Sequence, residues 1–111
     1  MAITDKDVVD SVAYEDELLL QMCDHLDFKR EFEKEHMLML QDKINAYIWY
    51  IDSKQYQITY FGRDFKQFFI KIFFMFEPSD LCKKFIAHVN SRLSNSNIMI
   101  EYVVDKGNND N

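Results

Sequence analysis

The stretch KQFFIKIFFMF, residues 66–76, limits the possible folds more than any other part of the chain. It is strand-sized, and Lys71 interrupts it, so it is no membrane span. Its aromatic and β-branched residues favour an extended conformation. Alternation along a strand sends Phe68, Ile70, Ile72, Phe74 and Phe76 to one side. Gln67, Phe69, Lys71, Phe73 and Met75 go to the other. The first side should meet helices. The second is too apolar for a fully wet face, so either a tail, or residues 56–61, or a partner should cover it.

The rest of the chain supplies the partners of that strand. Val8–Tyr14 and Glu17–Cys23 alternate as two strands around an acidic turn at Glu15 and Asp16, short enough for a hairpin. A helix follows, starting near residues 29–32 and ending near Ser53. Met37, Leu40, Ile44, Tyr47, Ile48 and Ile51 recur three and four apart, which places them on one stripe. Tyr56–Phe61 reads as a short strand or an ordered loop. Pro78, Ser79 and Asp80 start a second helix with Ser79 as its cap, and Leu81, Phe85, Val89 and Leu93 form its expected buried stripe. IMIEYVV, after SNSN, is the last strand. The expected class is α+β, in the order β-β-α-β-α-β, with about four strands and two helices on one face. A single domain over residues 1–104 and a fraying tail at 105–111 complete the expectation.

Charge narrows the function. Between Asp5 and Glu35 there are eleven acids and four bases, whereas the remainder has eight acids and nine bases. The excess negative charge, −6 overall, therefore lies in the first third. Nucleic-acid binding needs a basic footprint, and this chain has the opposite. An acidic face suits a basic protein surface. The acidic start lacks the basic and then apolar pattern of a secretory signal, and no apolar run has membrane-spanning length. Two cysteines, Cys23 and Cys82, without metal-motif spacing fit a cytoplasmic protein with reduced thiols.

MCDHLDFKREFEKEHMLML, residues 22–40, crowds acids around two histidines. His25 and His36 with nearby carboxylates are a conceivable metal or catalytic cluster, but they are not spaced i, i+4 on one helix face. Asp27 reads as a helix cap, and Glu31, Glu33 and Glu35 sit where the helix dipole favours negative charge. Asp24, Asp27, Glu31, Glu33 and Glu35 together are the candidate partner-binding face. Cys23 and His25 would point the same way on a continued strand, a pairing that arises often by chance. His88 reads as a rim residue. Asn45, between Ile44 and Tyr47, is expected to be a buried, hydrogen-bonded amide. There is no phosphate-cradling glycine loop or nucleophile elbow, so a non-enzymatic protein without cofactor is expected.

DHLDF followed by EHMLMLQDKINAYIWYIDSKQ resembles a small bacterial domain family of unknown function. The resemblance is carried by Asp24, His25, Leu26, His36, Leu40, Gln41, Lys43, Ile44, Asn45 and Tyr47, and later by Phe74, Phe76, Glu77 and Pro78. It spans roughly Val8–Val104 and implies no catalytic residues. In kind, a small acidic α+β domain without catalytic apparatus is similar to bacterial immunity proteins, which bind and neutralise one toxin, often a basic nuclease. The expected partner is therefore a cognate toxin. Self-association as a homodimer is the alternative, and a metal-dependent enzyme built on His25 and His36 is the third reading.

Overall fold

A computed structural model describes residues 10–104 of the chain. Val8 and Val9 of the expected first strand, and the tail expected at 105–111, lie outside the described residues. Strand β1 (Asp10–Tyr14) pairs antiparallel with β2 (Glu17–Asp24), with Tyr14 opposite Glu17. The turn is therefore two residues long. Glu15 has φ 48°, the left-handed backbone that lets a two-residue turn follow the twist of its strands.

A 3₁₀ turn at Arg30–Phe32 leads into α1 (Glu33–Asp52), which buries His36, Leu40, Lys43, Ile44, Tyr47, Tyr50 and Ile51. Met37 and Ile48, expected on the stripe, flank it half-buried. Asp27 is not the cap: Lys29 and Phe32 precede the two helical segments, and neither end carries a side-chain cap bond. Residues 56–61, read as a short strand or an ordered loop, are not a strand: Tyr56–Thr59 form a one-turn helix, α2. The buried Tyr56 ring decides this. It packs against Phe68 and Phe65 at 5.3 and 5.6 Å, and its hydroxyl donates to Asp64 Oδ1 at 2.7 Å.

Strand β3 (Gln67–Phe74) buries Phe68, Ile70, Ile72 and Phe74, while Phe76 falls beyond the strand and is exposed. Helix α3 (Asp80–Arg92) starts as expected, with Ser79 Oγ accepting from the Cys82 N–H at 3.2 Å. Its stripe is rotated from the expected one. Cys82 and Ile86 are buried, Phe85, Val89 and Leu93 are half-buried, and Leu81 is exposed. Cysteine behaves here as a small hydrophobe, and burial pushes its thiol up to about 12, with the Asp24 carboxylate adding to the effect. Strand β4 (Ile98–Val104) closes the chain.

The four strands lie in the order β1-β2-β3-β4, with β2–β3 and β3–β4 parallel. Each parallel step needs a crossover. Such connections are right-handed, so two that step the same way across a sheet lay α1 and α3 on one face. The register makes that face continuous: Leu18, Phe68 and Ile98 form one row, and Leu20, Ile70 and Ile100 the next. All six are buried in the core beneath the helices. The α+β class and element order are as expected. Among the described residues no helix is long and apolar enough to cross a membrane.

The hydrogen-bonded amide expected at Asn45 is found at Asn90, which is half-buried. Asn45 is exposed. Asn90 Nδ2 donates to the Ile100 carbonyl at 2.9 Å, and Ile100 N–H donates to Asn90 Oδ1 at 2.8 Å. One side chain thus takes the place of a neighbouring strand at the outer edge of β4, where an open edge invites pairing with other chains. Asn90→Leu leaves both backbone groups without this partner. It should lower stability by about 1–3 kcal/mol, whereas Asn45→Leu should change it little. Urea denaturation of the two variants checks the contrast.

Candidate functional site

Asp24 ends β2 and is 0% exposed; His36, in the first turn of α1, is 2% exposed. Asp24 Oδ2 lies 2.6 Å from His36 Nε2, and Oδ1 accepts the Leu26 N–H at 3.1 Å. His36 Nδ1 is 3.2 Å from the Asp27 carbonyl. A carbonyl only accepts, so Nδ1 must carry a proton. The short contact on the other side joins the ring to the carboxylate by a second hydrogen bond. The Phe28 ring stacks on His36, centroids 4.1 Å apart, and touches Phe74 at 5.8 Å. The two polar atoms that the pair does not use on itself, Asp24 Oδ1 and His36 Nδ1, both face the loop from β2 to α1. The pair fastens the DHLDF loop down onto the helix.

This arrangement corrects one expectation and bears on the third reading. Asp24 is not on a docking face, because it lies in the core. His25 and His36 are not a ligand pair either: His25 is exposed, while both ring nitrogens of His36 already face oxygen partners. Among the described residues no three His, Cys, Asp or Glu side chains are placed to hold a metal ion. Cys23 is exposed, and His88 is exposed on α3. Sequence reasoning treated His36 as a possible ligand and missed its role as a latch. The available signal was its spacing of four from Leu40, which puts it on the buried stripe.

The other acids are dispersed. Glu31 lies in the 3₁₀ turn and is exposed, Glu33 and Asp27 are half-buried, and Glu35 is exposed. Residues two apart on a helix do not share a face, so Glu33 and Glu35 diverge. Lys29, Arg30 and Lys34 are interleaved with them. The segment acts as part of a long-range negative field more than as a compact patch.

A different surface is conspicuous at the far end of α1. Trp49 is 60% exposed, Ile58 on α2 is 76% exposed and Phe61 is 93% exposed. An open cavity of about 540 Å³ lies between Trp49, Ser53, Lys54, Gln57, Ile58 and Gly62. Phe61 also has φ 27°, a backbone conformation costly for a bulky residue. Neither the exposed ring nor the strained backbone contributes to the core. The sequence had hidden this surface, because residues 56–61 read as strand or loop with no helix to orient Ile58.

The fold and these surfaces define a small α+β domain with helices on one side of a mixed sheet. The chain belongs to a family of unknown function, DUF6572, which matches residues 1–106. Comparison with curated proteins and with solved structures gave no match.

Proposed function

We propose that this chain is a binding protein of the immunity type, which neutralises a basic cognate toxin domain by occupying part of its surface. The observation that supports this is the exposed apolar end formed by Trp49, Ile58 and Phe61. Large aromatic side chains presented beside a shallow cavity are the usual anchors of protein interfaces, and such residues carry most of the binding energy. The net charge of −6 supports a basic partner, since it would steer encounter from a distance. In this reading Asp27, Glu31, Glu33 and Glu35 contribute to the field, and the aromatic end makes the contact. No cofactor takes part.

The test is co-expression with each basic toxin-like domain found in the neighbouring genes. Wild type should restore growth. Trp49→Ala combined with Phe61→Ser should weaken toxin binding by at least about tenfold and abolish rescue, while the melting midpoint stays near that of wild type. A double variant that rescues as well as wild type would remove the aromatic end from the function.

A further inference from the structure

The sheet face opposite the helices carries its own pattern, separate from the aromatic end and from the toxin reading. Residues on β3 and β4 that point away from the core pair by register as Phe69 with Met99, Lys71 with Glu101, and Phe73 with Val103. Two apolar rows therefore flank one charged row. Phe69, Lys71 and Phe73 are half-buried, while Met99, Glu101 and Val103 are exposed. Lys71 and Glu101 are neighbours across the strands, yet among the described residues no ion pair includes either of them. The Lys71 ammonium lies 5.4 Å from the Phe73 ring centroid.

We infer that this face binds a second copy of the chain across a two-fold axis. The axis runs parallel to the strands, midway between β3 and β4. Such an axis lays β3 of one copy over β4 of the other and keeps each row at its own height. Lys71 then faces Glu101 of the second copy, and Glu101 faces its Lys71. Phe69 meets Met99 and Phe73 meets Val103, apolar on apolar, in an isologous interface. Sheets pack face to face about 10 Å apart with strands nearly aligned, which this axis allows. The charge pattern selects the axis. Moving it onto β3 would stack Lys71 on Lys71. Moving it between β2 and β3 would set Lys71 against Gln21, its neighbour in the same row, and leave both charges unpaired. Only two strands of each copy overlap, a contact at the small end of specific interfaces, so the dimer should exchange readily.

The full-length chain provides the test by sedimentation velocity. Wild type should show a concentration-dependent shift from one chain mass to two. Lys71→Glu alone and Glu101→Lys alone should each weaken self-association by at least about tenfold, because like charges then face each other twice. Mixing the two variants should restore the dimer, since one copy then presents two carboxylates to the two ammonium groups of the other, and opposite charges meet at both contacts. Repair of the neighbouring pair within one chain cannot give that result, because each variant keeps its own pair of like charges. A wild type that stays monomeric to millimolar concentration would overturn the proposal. So would single reversals that dimerise as wild type does, or a mixture that stays monomeric. Circular dichroism of each variant separates lost association from lost fold.

Discussion

Asp24→Leu should lower stability by about 3–5 kcal/mol, because it leaves His36 buried without its carboxylate and the Leu26 N–H without its acceptor. For a domain of this size that is a large fraction of the whole, since small domains are stable by only about 5–15 kcal/mol. His36→Leu should cost a similar amount, for then the carboxylate is the stranded group. The two losses should not add. With both residues replaced no unpaired polar side chain is left behind, and the double variant should be less destabilised than the sum of the singles. Asp24→Asn is the control that isolates charge from hydrogen bonding. An asparagine amide can donate to Nε2 while its oxygen still accepts from Leu26, and the loss should fall to about 1 kcal/mol. Chemical denaturation of the four variants measures all of this. Additive losses would mean that Asp24 and His36 each matter through separate packing.

The latch also shows where sequence reading stops. Leu40, Ile44, Tyr47 and Ile51 gave the buried face of α1 because apolar residues at helical spacing have few other uses. His36 occupies the same face, but a histidine carries no hydropathy signal, and its partner lies twelve residues away in a strand. Asn45 and Asn90 make the same point in reverse. Both are amides among apolar neighbours in a helix, and only the placement of the β4 edge decides which one is bonded. The Cys82–Ile86 stripe was displaced by one residue because Leu81 is the more hydrophobic of two adjacent choices. Core strands were legible throughout, since period-two alternation fixes a face once any one residue of it is buried. The exposed end at Trp49, Ile58 and Phe61 was not legible, because it depends on a single turn of helix set by one tyrosine.

Phe74→Ala should cost about 3–5 kcal/mol, the range for emptying a large aromatic site in a packed core. Phe74 ends β3 with no exposed surface, and its ring touches Phe28 at 5.8 Å and Tyr102 at 5.6 Å. It lies in the same row as Asp24, so the cavity would open directly beside the latch. Phe28 is the bridge: it stacks on His36 on one side and meets Phe74 on the other. Removing Phe74 should therefore weaken the hold of the DHLDF loop on α1 as well as the core. Phe28→Ala and Phe74→Ala together should depart from additivity by about 0.5–3 kcal/mol, as contacting residues do. Phe74→Leu, which keeps much of the volume, should cost less than the alanine. Denaturation midpoints give the energies, and amide exchange at Leu26 reports on the loop. If exchange there is unchanged while global stability falls by several kcal/mol, the loop is held by the Asp24 and His36 hydrogen bonds without help from the aromatic stack.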